Sequence, residues 1–181
     1  DILVSNGYRR YGSDNDSRIK INQEKKLYNG KVPLEVKEEL YNALPSEKLA
    51  NILYKNTGDL KFKDISEFSD LKEPTFSNGA VYSDLDNDGD LDLIINNIDQ
   101  EAFVFRNTSR EKKLGNFIKV VTKGNTSENF AKVTIKYDEI IKTKESKRVR
   151  GYLSAVDNDI HFGLGDRKSI DSLIIQWNSG K

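Results

Sequence analysis

Between residues 83 and 92 the chain reads Ser83-Asp84-Leu85-Asp86-Asn87-Asp88-Gly89-Asp90-Leu91-Asp92, with a carboxylate at every second position from 84 to 92. Two carboxylates ~4 Å apart repel by ~4 kcal/mol at an effective dielectric of about 20. Gly89 lets the backbone turn sharply, which brings several of these groups that close. Such a loop is either an open, Asx-rich turn or a cradle for a hard cation. Calcium takes six to eight oxygens in irregular geometry, whereas magnesium demands a stricter octahedron, so the pattern predicts Ca2+. The expected side-chain ligands are Asp84, Asp86, Asp88 and Asp92, with Asp90 supplying its backbone carbonyl. An EF-hand does not fit: it needs a bidentate Glu at position twelve, and counting from Asp84 that position is Ile95. Position nine is Asp92, and a strand-like run follows it.

A repeat surrounds the loop. Asp1-Ile2-Leu3-Val4-Ser5-Asn6 resembles Asp92-Leu93-Ile94-Ile95-Asn96-Asn97, and Leu53-Tyr54-Lys55-Asn56-Thr57 resembles Val104-Phe105-Arg106-Asn107-Thr108. The first copy therefore carries an insertion of about 40 residues, near 7–49. Its first half is polar and turn-rich (Gly12-Ser13-Asp14-Asn15-Asp16-Ser17). Its second half is expected to be helical. Pro33 suits a first turn there, and Leu34, Val36, Leu40, Tyr41 and Leu44 form an apolar stripe ended by Pro45.

Elsewhere the period is two. Residues 53–65 predict a hairpin around Thr57-Gly58-Asp59. Further strands are expected at 81–83, 93–95, 117–121, 133–137, 160–162 and 173–177. Many short strands with Gly and Asn turns predict an all-β fold. The charged stretch Ser109-Arg110-Glu111-Lys112-Lys113 is the expected domain boundary, because the repeat vanishes after it.

Composition narrows the function classes. Lys plus Arg and Asp plus Glu both number 29, so net charge is zero and no global field favours nucleic acid or an anionic membrane. Apolar runs stop at three or four residues, where a helical span needs ~20. No cysteine is present, which removes disulfides and thiolate chemistry. Methionine is absent even at position 1, so the chain is expected to be an excerpt or a processed product of a larger protein. His161, the single histidine, is expected to be a packed strand residue, since no serine or carboxylate is tied to it by spacing. Trp177 is expected in the core, and Arg150 paired to a carboxylate. The basic run Lys142, Lys144, Lys147, Arg148 and Arg150 reads as the solvated face of a hairpin.

Gly79-Ala80-Val81-Tyr82-Ser83 leading into the acidic loop resembles an FG-GAP/VCBS repeat, and the hairpin at 53–64 resembles the usual partner of that motif. The resemblance implies a β-propeller blade with calcium in the loop. Asp1 matches Asp92, so it implies that the chain starts inside a second calcium loop, whose first eight residues would precede Asp1. Arg150-Gly151-Tyr152-Leu153-Ser154, His161-Phe162-Gly163-Leu164-Gly165 and Asp171-Ser172-Leu173-Ile174-Ile175-Gln176-Trp177-Asn178-Ser179-Gly180 resemble the ASPIC/UnbV domain, which follows VCBS repeats in large secreted or surface proteins. Thr126-Ser127-Glu128-Asn129-Phe130 replaces a glycine-rich stretch usual in that domain. The implied architecture is all-β. Residues 1–108 are the last part of a propeller with an insertion near 7–49, and 115–181 form a small β-sandwich-like domain. One and a half blades cannot close a propeller, so the intact protein is expected to be larger.

The expected function is non-enzymatic: a calcium-binding module, extracellular or on the cell surface, that presents surfaces to a protein or glycan partner. It would be a component of a larger surface assembly, and the resemblance implies a location such as that of an outer-membrane lipoprotein of a Gram-negative bacterium. Two other classes stand beside it. One is an accessory part of a polysaccharide-acting surface enzyme or uptake system, which would need paired acidic groups facing a cleft. The other is RNA binding through the basic run, which lacks an accompanying aromatic motif.

Overall fold

A computed structural model describes residues 1–68, 70–122 and 131–178, without the side chain of residue 68. The stretch 126–130 and the end of the Asp171–Gly180 motif lie outside the described residues. The fold is mostly β, in four separate sheets of two or three strands with two α-helices, and no closed barrel or propeller forms among the described residues. Contacts divide the chain into two compact units. One comprises Asp1–Asn78 and Asn96–Glu101, the other Gly79–Ile95 and Ala102–Lys181. The division therefore runs at 78/79, 95/96 and 101/102, whereas sequence placed a boundary at 109–113. The acidic loop shares a unit with the carboxyl-terminal residues because its hydrogen bonds and ion pairs, described below, run to them.

In the first unit, β1 (Ile2–Val4), β2 (Ile52–Gly58) and β3 (Lys61–Asp64) form one antiparallel sheet. The expected hairpin is β2–β3, and Asp59 and Leu60 turn it at positive φ. The insertion between β1 and β2 holds α1 (Asn15–Leu27) and α2 (Leu34–Asn42). The second was expected, though Pro33 sits at its N-cap rather than inside its first turn. The first corrects the reading of Gly12–Ser17 as turns alone. Its residues show no apolar stripe because the helix buries none of them. Local chemistry holds it instead. The Asp14 carboxylate accepts from Ser17 N at 2.9 Å, Asp16 lies in the first turn, and Lys25 and Lys26 lie in the last. A buried polar chain ties this unit further: Asn51 Nδ2 donates to Ser77 Oγ (2.9 Å), and Ser77 Oγ donates to Asn97 Oδ1 (2.9 Å). Ser77 spends its only proton on Asn97, so Thr75 Oγ1 must be the donor in its 2.5 Å contact with Ser77.

The two repeat copies fold alike. Ile2, Leu3 and Val4 pair with Tyr54, Leu53 and Ile52. In β5 (Asp92–Asn97) and β6 (Phe103–Phe105), Leu93, Ile94 and Ile95 pair with Phe105, Val104 and Phe103 in the register the sequence alignment gives. The aspartate before each first strand makes the same bond. Asp1 Oδ1 accepts from Asn56 N and Asp92 Oδ1 from Asn107 N, each at 2.8 Å. β4 (Ser77–Ser83) precedes the acidic loop and completes the sheet β4-β5-β6.

The second unit continues with β7 (Asn116–Val120), β8 (Ala131–Tyr137), β9 (Ile140–Glu145), β10 (Ile160–Gly165) and β11 (Ser172–Trp177). They form two sheets, β10-β7 and β11-β8-β9. Alternation of period two on β8 and β10 turns Ala131, Val133, Ile135, Tyr137, Ile160, Phe162 and Leu164 into one buried cluster. Ile118, Val120, Ile170, Ile175 and Trp177 pack on its margin, so the tryptophan joins the core half-buried.

The basic run has a structural task. Lys142 Nζ and Lys144 Nζ, both on β9, donate to Gly163 O and His161 O on β10, each at 2.7 Å. The same ammonium groups lie over the Tyr137 and Phe162 rings of the core, at 5.5 and 5.6 Å from the centroids. Burial lowers the Lys144 pKa, and the nearby Arg150 and Lys142 charges add to that. Arg150 donates to Glu145 O rather than to the expected carboxylate.

Phe162 is 1% exposed and Leu60 96%. Phe162→Ala is therefore expected to cost about 3–5 kcal/mol in urea unfolding. Leu60→Ala should stay within about 0.5 kcal/mol of wild type.

Candidate metal centre

The acidic loop leaves β4 at Ser83 and enters β5 at Asp92. Asn87 and Gly89 take positive φ (60° and 96°), which coils the segment so that alternate residues face one centre. One carboxylate oxygen each from Asp84, Asp86 and Asp88 lies within 4.8 Å of the others. Asp90 and Asp92 are placed differently. Asp90 offers its side chain to a second group with Asp88 and Glu111, at the same spacing. Asp92 is 2% exposed and works as a staple. Its Oδ2 accepts from Leu85 N (3.0 Å), near the start of the loop, and its Oδ1 from Asn107 N, beyond β6. Backbone N–H groups within the loop also point at the carboxylates: Asp88 N at Asp86, Gly89 N at Asp84 and Asp90 N at Asp88.

Cationic side chains offset part of the charge. Arg106 Nε is 2.9 Å from Asp86 Oδ2, and its Nη2 is 2.5 Å from Glu111 and 4.0 Å from Asp88. Glu111 and Asp86 raise the Arg106 pKa further. Lys119 Nζ lies 3.9 Å from Asp84 and 3.2 Å from Asp159. Asp90 is 9% exposed, and no ammonium or guanidinium pairs with it among the described residues. Burial raises its pKa. The hydrogen bond from Arg110 N opposes that shift, while the neighbouring Asp88, Asp92 and Glu111 charges add to it.

Arg106 and Glu111 are the partners that the sequence did not reveal. Neither lies in the loop, and only the return of β6 beside β5 brings them to it. The charged stretch at 109–113 forms a tight turn here, with Lys112 N donating to Thr108 O, Lys113 N to Arg110 O and Leu114 N to Ser109 O.

The other side of the loop is held by aromatics. Nε2 of His161 lies 2.9 Å from Gly89 O, so this nitrogen carries the proton and donates it. The imidazole stacks on Phe117 with centroids 5.1 Å apart, and Arg110 lies over the same phenyl ring at 5.8 Å. Burial lowers the His161 pKa, and its hydrogen bond to Gly89 opposes that shift. His161 is thus packed and hydrogen-bonded, as sequence predicted. A cavity of about 260 Å³ lies here, with Gly89, Arg110, Phe117 and His161 in its lining.

A Cβ at Gly89 would lie 1.9 Å from the Phe117 ring, at a φ that L-residues avoid. Gly89→Ala is expected to cost about 2 kcal/mol or more in urea unfolding, through overpacking and backbone strain together. The Gly89→Ala, Phe117→Ala double variant should recover part of that loss relative to the sum of the single changes.

No curated protein matches the chain. Residues 121–181, about a third of the chain and including β8 to β11, match the family described as ASPIC and UnbV.

Proposed function

We propose that the loop at 84–92 binds Ca2+ and that the chain is a non-enzymatic calcium-stabilised module. Convergence of the Asp84, Asp86 and Asp88 oxygens within 4.8 Å carries this reading. Oxygens on one calcium ion, at 2.3–2.6 Å from it, lie at most about 5 Å apart, so the spacing suits a shared ion. Asp92 orders the loop through its two backbone bonds, and lone pairs remain on its oxygens.

The matched register of the two strand pairs supports an FG-GAP/VCBS blade as the origin of the loop, and with it a propeller in the larger protein. In this reading the ion replaces mutual repulsion with a rigid turn, and the ordered surface meets a protein or glycan outside the cytoplasm or at the cell surface. Extracellular modules bind calcium at ~10⁻⁴–10⁻³ M, so the site would fill outside cells and stay mostly empty in cytosol. The engagement of Lys142 and Lys144 with strand carbonyls weighs against RNA as the partner.

Calcium at a few millimolar is expected to stabilise the chain over EDTA by ~1–2 kcal/mol, seen as a melting shift of a few degrees. Asp86→Asn with Asp88→Asn should abolish that shift. A wild-type chain that melts identically in calcium and in EDTA overturns the reading.

A further inference from the structure

Asp90 carries a buried oxygen with nothing bound to it. Its Oδ2 accepts from Arg110 N at 2.9 Å, while its Oδ1 is buried and has no hydrogen-bond partner. The residue is 9% exposed, and the oxygen itself is buried from bulk solvent. A buried carboxylate oxygen in that state is costly unless a cation meets it. The Asp90 carboxylate belongs to the second group of acidic oxygens, with Asp88 and Glu111, all within 4.8 Å of one another. That spacing again fits oxygens on one divalent ion. Asp88 is common to both groups, and a carboxylate with two oxygens can serve one ion with each. The charge balance also asks for more than one ion. Six carboxylates (Asp84, Asp86, Asp88, Asp90, Asp92 and Glu111) gather here, and among the described residues only Arg106 and Lys119 pair with any of them: Arg106 with Asp86, Asp88 and Glu111, and Lys119 with Asp84, shared with Asp159.

We propose that Asp88, Asp90 and Glu111 form a second divalent-cation position, with Asp88 bridging it to the ion held by Asp84 and Asp86. This rests on the calcium reading of the loop and extends it to a ligand outside the loop. Glu111 is exposed and bonded to Arg106, so the ion takes it over by releasing the Arg106 guanidinium toward solvent. Asp90 then contributes its side chain, not only its backbone carbonyl.

Calcium bound per chain at saturation tests this, measured by equilibrium dialysis and by titration calorimetry on the 181-residue protein. Wild type is expected to bind two ions. Glu111→Gln should bind one, and its melting temperature in EDTA should match wild type within a degree or two, which shows that the fold persists. Asp90→Asn keeps an oxygen for Arg110 N and should also bind one. A wild-type count of one, or a Glu111→Gln count that stays at two, overturns the second position and leaves the loop reading intact. A wild-type count of zero overturns both.

Discussion

Asp92 fixes the geometry on which the acidic loop depends. It is buried, and its two oxygens take backbone N–H groups from opposite ends: Leu85 at the start of the loop and Asn107 after β6. Without that staple, five like charges in a short segment would spread apart. With it, the loop must close back on the strand that follows, and Asp84, Asp86 and Asp88 are forced into company. Asp1 makes the same bond to Asn56. That half of the staple is therefore common to both copies of the strand pair.

The loop is braced on both flanks by different physics. One flank is electrostatic, where Arg106 spans Asp86 and Glu111. The other is packing, where Phe117 fills the space a side chain at Gly89 would need and His161 holds the Gly89 carbonyl. Because β7 and β10 carry those aromatics, the order of the loop and the order of the carboxyl-terminal sheet are linked within one compact unit. An ion in the loop would act on that sheet through a carbonyl and two rings, with no large motion required.

Much of this was legible in the sequence, and the gaps have physical causes. Period-two runs gave the positions of β4, β5, β7, β8, β10 and β11, and on β8 and β10 every second residue is buried. The repeat gave the register of β1 on β2 and of β5 on β6. Helix α1 was not legible because it buries nothing and is held by an Asp14 cap and end charges. The alternating aspartates marked the loop, but alternation could not separate their roles. Asp92 is pulled to backbone donors and Asp90 toward Glu111, and both outcomes depend on residues brought near only by folding. Arg106 and Glu111 look like ordinary surface charges in the sequence. Arg150 was expected to meet a carboxylate and instead meets a carbonyl, because the turn after β9 places Glu145 O within its reach.

The lysine contacts between β9 and β10 bear on what this fold resists. A strand with free carbonyls along one side is a template on which another chain can grow, and that is how sheets stack into fibrils. Here two ammonium groups occupy the Gly163 and His161 oxygens. An incoming strand would have to evict both charges and strip them from the core margin before it could form its first rung. Two lysines thus occupy the carbonyls on that border of β10, a place that other edge strands blunt with proline.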